Sequence, residues 1–314
     1  MDNWAMRHSL RRILLVLGAA AILIGCALGA EVMQRGDSAH SWHGLFFVDA
    51  KTGFLVGDGA RMQRTDDGGK TWIELKSGIS SDVRLTGVWF FDEANGVVCG
   101  ELGTLYSTAD GGKTWSRIPA FGVELQDIAF CGKKIGYAVG LSGRVIWTHH
   151  GGASWNEAKP RTSRLLLGVA CVGEKLAWAV GLGGTILHTS DGGRTWALQD
   201  SGTASILLDV CFVDASNGWA VGMAGVILHT TDGGKKWVRQ LSGAKHELNG
   251  VYFADKDVGF IVGQESIFLR TTDGGNTWQK EILIDRDTWL YSIFMLNTKS
   301  GYACGKNGIL VSLP

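Results

Sequence analysis

An eight-residue phrase returning six times at near-constant spacing constrains this chain more than any other feature. Thr65-Asp66-Asp67-Gly68-Gly69-Lys70-Thr71-Trp72 recurs as Thr108 to Trp115, Thr148 to Trp155, Thr189 to Trp196, Thr230 to Trp237 and Thr271 to Trp278. Its closing tryptophans, Trp72, Trp115, Trp155, Trp196, Trp237 and Trp278, are 43, 40, 41, 41 and 41 residues apart. A second marker, the glycine ending a Val-Gly or Cys-Gly pair, falls at Gly57, Gly100, Gly140, Gly181, Gly222, Gly263 and Gly305. That counts seven units, the last ending before its phrase. A period of this length means stacked supersecondary units, none of which can bury its own apolar surface alone.

Each unit reads as four short strands. Leu207 to Val213 is β-rich and is closed by the turn cluster Asp214-Ala215-Ser216-Asn217-Gly218. Trp219 to Val221 makes a second strand, Val226 to His229 a third, and Trp237 to Gln240 a fourth. Four strands per forty-odd residues define one propeller blade, so the expected fold is all-β: a seven-bladed β-propeller of four-stranded antiparallel blades. The seventh unit supplies only Leu290 to Leu296, Gly301 to Cys304 and Ile309 to Val311. A ring without an open edge needs a fourth strand from elsewhere. The unassigned stretch from Glu31 to Ser41 is the source, with Val32 to Arg35 as the closing strand.

The repeated phrase has a structural role. Asp67, Asp110, Asp191, Asp232 and Asp273 can accept hydrogen bonds from their own turns, the glycines permit positive φ, and the tryptophans plug the gaps between blades. His150 stands at the aspartate position of the third copy and Lys236 at the second threonine position of the fifth. A solvated turn, not a metal, is expected at His149-His150.

Composition agrees with this reading and excludes others. Glycine, at 46 of 314 residues, is about twice its ordinary share, while proline numbers only 3. Thirty basic side chains balance thirty acidic ones, so no global field points to nucleic acid. The first segment, residues 1–30, is separate from the propeller of residues 31–314. Arg7, Arg11 and Arg12 precede eighteen uncharged residues from Ile13 to Ala30, the pattern of a secretory signal or an uncleaved helical anchor. Leu23-Ile24-Gly25-Cys26 resembles the bacterial lipobox, which makes Cys26 the expected lipidation site. Export to a periplasmic or lumenal compartment, with membrane attachment, follows. About five residues then separate lipid from ring, at most roughly 18 Å of extended chain. Cys131, Cys171 and Cys211 fall at different offsets in one strand of successive repeats, and Cys99 and Cys304 replace a valine. None has metal-ligand spacing, and all five are expected to be free buried thiols. No metal or other cofactor is expected.

The phrases are similar to Asp-boxes, also called bacterial neuraminidase repeats. That resemblance raises a sialidase-like glycoside hydrolase, a family marked by an Arg-Ile-Pro motif before the first box and a Tyr nucleophile with a Glu partner. Here Arg117-Ile118-Pro119 lies after the second box, and Tyr106, Tyr137, Tyr252, Tyr291 and Tyr302 sit at repeat positions in strands; no catalytic residue is assigned. The whole unit, best seen in Leu166 to Trp196 and Leu207 to Trp237, resembles the photosystem II stability/assembly factor family from Trp42 to Pro314. The resemblance implies a non-enzymatic propeller that binds a protein client, a membrane protein or its assembly intermediate. A monomer is expected. A surface adhesion or carbohydrate-binding propeller is the remaining alternative.

Relatives of this kind bind through an arginine-rich patch, which implies the type of surface rather than particular residues. On the face opposite the boxes, the blade-to-blade loops place Arg84, Arg161, Arg164, Lys245, His246 and Arg286, and a loop between second and third strands places Arg144. Asp82, Glu124, Glu247, Asp285 and Asp287 are interleaved with them. Arg161 and Arg164 form the sharpest pair, because no acid lies between Lys159 and Arg164.

Overall fold

The computed structural model describes residues 29–36, 39–119 and 122–314. The signal or anchor expected in residues 1–30, and Cys26 with it, lies almost wholly outside them. Among the described residues no helix is long and apolar enough to cross a membrane.

Seven four-stranded antiparallel sheets form a ring. Blade 1 runs from Trp42 to Leu75, blade 2 from Leu85 to Arg117 and blade 3 from Leu125 to Ala158. Blade 4 runs from Leu166 to Gln199, blade 5 from Leu207 to Gln240 and blade 6 from Leu248 to Ile282. Blade 7 takes Leu290–Asn297, Ser300–Gly305 and Leu310–Leu313 from the end of the chain and Glu31–Gln34 from its beginning. The closing strand thus starts one residue earlier than expected and pairs antiparallel with the last strand, Val32 opposite Val311. First strands of successive blades pack side by side around the central channel. Their burial alternates while the second strands are buried throughout, as expected for strands covered on both faces by neighbouring blades.

Aromatic stacking joins the blades. Trp178 of blade 4 lies flat on Phe212 of blade 5 (3.5 Å between centroids, 8°), and Trp219 repeats the contact on Phe253 of blade 6 (3.5 Å, 6°). Phe54 covers Phe90 in the same way, and Tyr302 covers Phe47 across the ring closure. Each phenylalanine fits because the facing residue of its second strand is glycine: a Cβ at Gly218 would meet the Phe212 ring at 2.4 Å. Blade 7 keeps the glycine but sets Met295 over Gly301, and blade 4 departs fully, with Cys171 in place of the phenylalanine and Ala177 in place of the glycine.

That departure corrects the expectation for the cysteines. Cys131 and Cys171 form a disulfide, with Cα atoms 5.9 Å apart. They belong to neighbouring first strands, so sequence offsets that looked out of register bring the two sulfurs together across the interface between blades 3 and 4. Cys99, Cys211 and Cys304 are free.

The boxes are closed hydrogen-bond circuits. In box 4 the Thr189 hydroxyl donates to Asp191 (2.9 Å) and accepts the Gly193 N–H (3.0 Å). Asp191 also accepts the N–H and the hydroxyl of Thr195 (2.9 and 2.6 Å). The same threonine bonds hold the carboxyls of Asp67, Asp110 and Asp273 down at about 2. The glycines of each box adopt positive φ. The indole N–H groups of Trp72, Trp115, Trp155 and Trp196 donate to their own second box glycine, whereas Trp237 turns to Gln199. In the fifth box, Asp232 keeps the Thr230 hydroxyl (2.9 Å) and a backbone N–H from Lys236 (3.0 Å) but loses the second hydroxyl. In the third, His150 bonds Ser154 in place of the aspartate–threonine pair.

Asp191→Ala should therefore lower stability by about 1–2 kcal/mol, measured by chemical denaturation, and Asp232→Ala by less, because its circuit is already one bond short. Reduction of Cys131–Cys171 should cost about 2–4 kcal/mol. A drop in melting temperature on adding reductant, absent in a Cys131→Ser/Cys171→Ser double variant, would demonstrate it.

Candidate functional site

Antiparallel alternation puts the boxes and the turns between first and second strands on one face. The loops between second and third strands share the other face with the blade-to-blade connections. Backbone bonds tie these loops in pairs, Gly225 N–H to the His246 carbonyl (2.8 Å) and Ser266 N–H to the Thr288 carbonyl (2.7 Å). All seven cations read from the sequence are carried by these loops, but the structure sorts them into two groups.

Four are engaged within the fold. Arg84 donates to Asp58 of blade 1 (2.8 Å) and pairs with Glu101 (3.2 Å). Asp58 also holds His43 (2.9 Å), whose ring lies parallel to Tyr291 of blade 7 at 5.3 Å. One buttress thus crosses three blades, and the Asp58 bond raises the Arg84 pKa. Arg144 is bound to Glu157, and His246 pairs with Glu265 (3.4 Å). Arg164 donates to the Gly183 carbonyl (2.8 Å), which lays it over the blade 4 loop. The second group, Arg161, Lys245 and Arg286, is exposed and makes no ion pair among the described residues. Arg161 lines a groove of about 590 Å³ with Lys159 and the box 4 and outer-strand residues from Arg194 to Leu198, while Arg164, also exposed, lies over Gly183.

Sequence reading missed an apolar arc on this face. Leu102 and Leu141 are 71% and 44% exposed, and half-buried Leu182 and Met223 extend the arc over blades 4 and 5. The signal was available: Leu141, Leu182 and Met223 each follow the marker glycine, where Asp58, Glu101, Gln264 and Lys306 stand in the other blades.

The channel was also missed as a polar site. His43, Gln126, Asp127, Asn249, Tyr291 and Ser292 share a cavity of about 230 Å³ with Leu167, Leu208 and Asp209. Its polar groups bridge adjacent blades. Asp127 accepts the N–H of Val169 in blade 4 and Asp209 that of Val251 in blade 6, both at 2.8 Å. Desolvation raises both carboxyls, Asp209 to about 6 and Asp127 to about 8, the latter also through the charge of Asp209. Burial likewise pushes the Tyr291 phenol upward, the opposite of what a tyrosine nucleophile needs. Among the described residues no cluster of three or more His, Cys, Asp or Glu side chains could hold a metal ion. His149 and His150 instead bond the Gly192 carbonyl and the Ser154 hydroxyl.

Fold and boxes together define an Asp-box propeller of seven blades. Comparison with known proteins narrows the class. The profile of the family described as photosynthesis system II assembly factor YCF48 matches residues 37–122, 119–199, 195–287 and 242–313, and the chain belongs to that family. Among solved structures, one titled "YCF48 bound to D1 peptide" is similar at a TM-score of 0.78, with 22% identity over 92% of this chain and 99% of that one. YCF48 from Cyanidioschyzon merolae matches at 0.73, with 20% identity over 90% and 98%. The WD40 β-propeller domain of Doa1 also reaches 0.73, but with 10% identity over 92% and 98%. Comparison with curated proteins found no match.

The raised Asp127 carboxyl has a measurable consequence. The folded protein binds this proton more tightly than the unfolded chain, whose carboxyl titrates near 4, so stability falls as pH rises through about 8. Urea denaturation at pH 7 and 8.5, above the histidine range, should show lower stability at the higher pH. Asp127→Asn should flatten that difference.

Proposed function

We propose that this protein is an exported, membrane-proximal and non-catalytic scaffold that holds a segment of a protein client on the face opposite its boxes. Family membership carries the reading, and one relative was solved with a D1 peptide bound. The composition of the face supports it. Exposed Arg161, Arg164, Lys245 and Arg286 stand in the blade-to-blade loops, and Leu102, Leu141, Leu182 and Met223 in the loops between second and third strands, a combination suited to an extended segment with carboxylates and apolar side chains. Guanidinium forks bind carboxylates with two parallel bonds, and Arg161 is free to do so. Arg84, tied to Asp58 of the neighbouring blade and to Glu101, and Arg144 and His246, tied to Glu157 and Glu265, act as buttresses for these loops.

The Cys131–Cys171 disulfide supports an oxidising, exported location. With Glu31 already in the closing strand, a lipid on Cys26 would hold the ring within one short tether of the membrane. The client of this reading is a membrane protein or an intermediate in its assembly.

Arg161→Glu/Arg164→Glu should leave the melting temperature nearly unchanged, since exposed substitutions usually shift stability by less than about 0.5 kcal/mol. The same variant should capture less client from crosslinked native membranes, and added salt should weaken wild-type capture in parallel. Undiminished, salt-insensitive capture by the double variant would remove the cationic loops from the binding surface. Mass spectrometry of the mature chain should find an acylated Cys26 at its N-terminus; an intact Met1 or a start at Ala30 or Glu31 would overturn the lipid tether.

A further inference from the structure

One position of the second strands follows a rule that breaks at a single blade. In six blades the second strand carries an aromatic residue directed at the next blade: Phe54, Tyr137, Trp178, Trp219, Phe260 and Tyr302. Blade 2 has Val97 there. The paired third-strand position has shrunk as well. Ser107 lies opposite Val97, where Arg64, Trp147, His188, His229 and Arg270 face the ring in blades 1, 3, 4, 5 and 6; blade 7 also has a serine, Ser312, but there it faces Tyr302.

The ring positions also serve a hydrogen bond. Trp178 donates its indole N–H to the first box glycine of the next blade, Gly233 (3.1 Å), and Trp219 does the same to Gly274 (3.2 Å). The Tyr302 hydroxyl donates to Gly68. Where the ring has no donor or does not reach, a neighbour bonds the carbonyl instead: Arg64 at Gly111 (3.3 Å) and His149 at Gly192 (3.0 Å). Five of six boxes thus have this carbonyl bonded from the preceding blade. The sixth, Gly151, has no such donor among the described residues, and it is the one that faces Val97.

Between them lies a cavity of about 430 Å³ on the box face, bounded by Gly96, Val97, Ser107, Thr108, Gly151 and Gly152. Its size is that of a small-molecule pocket. Phe91 turns edge-on to Phe130 (4.8 Å, 86°) and forms one wall, without replacing the missing donor. Sister blades show what such a space accepts: a flat ring, held by dispersion, with its polar edge on a glycine carbonyl.

We propose that this cavity is a binding site for an aromatic ring bearing an N–H or O–H donor, an indole in the first instance, with the donor on the Gly151 carbonyl. The site lies on the face away from the cationic loops and does not depend on the client reading. The ring can come from a free indole-type compound or from a tryptophan side chain of a polypeptide.

Fluorine NMR of the whole protein with 5-fluoroindole and, separately, fluorobenzene tests the site. Fluoroindole should broaden and shift on wild-type protein, and fluorobenzene, lacking the donor, should bind about tenfold more weakly. Val97→Trp supplies the ring from within the chain; it should abolish fluoroindole binding and raise the melting temperature. Val97→Phe and Ser107→His narrow the cavity less drastically and keep the test available if the tryptophan variant does not fold. An unperturbed fluoroindole signal up to its solubility limit, or binding unchanged in the folded variants, would overturn the proposal. Binding of N-acetyltryptophanamide identifies a polypeptide side chain as the ligand, and its exclusion while fluoroindole binds identifies a free small molecule; either result supports the site.

Discussion

Ring-on-ring contact between neighbouring blades is the interaction on which the rest of this molecule depends. A four-stranded blade has two apolar faces and no means of covering either. The flat contacts of Trp178 on Phe212 and Trp219 on Phe253 solve this by making each blade the lid of the next. They demand glycine beneath each phenylalanine, at Gly53, Gly96, Gly136, Gly218 and Gly259, while most of the other glycines take positive φ in turns. In blade 4, where both the phenylalanine and its glycine are lost, a covalent bond from Cys171 to Cys131 spans the same interface. The boxes then hold the outer strand of each blade in place, and their tryptophans meet the first-strand phenylalanines edge-on, as Trp237 meets Phe212.

The two faces divide the work. Box circuits are local and recur from blade to blade with two altered copies, so one face is largely uniform. The loops on the other face differ at almost every blade, and variation on a fixed scaffold is how recognition is usually built. Even there, much of the charge serves the scaffold: Arg84, Asp58, His43 and Tyr291 link blades 7, 1 and 2 in a single chain of contacts.

Blade number, strand order and the residues of the boxes were legible in the sequence because they repeat, and a repeated pattern averages out local ambiguity. The strand that closes the ring was legible by subtraction, since every other stretch was already assigned. What the sequence hid were contacts between units. Cys131 and Cys171 sit at different offsets, and only the side-by-side packing of first strands shows that these offsets coincide in space. The pairing of Arg84 with Asp58 was hidden for the same reason, because it crosses from one blade to another. Arg161 and Arg164 are close in sequence, yet the loop directs one to the outer groove and the other over Gly183.

Closure between Glu31–Gln34 and Leu310–Leu313 has a temporal side. The hydrogen-bonded partners Glu31 and Ser312 are 281 positions apart, so the first strand to emerge during synthesis must wait for nearly the last. Until then the growing array carries two bare sheet edges, one at each end, each able to pair with a foreign strand. Pairing of Glu31–Gln34 with Leu310–Leu313, rather than formation of any single blade, is the event that removes both open edges at once.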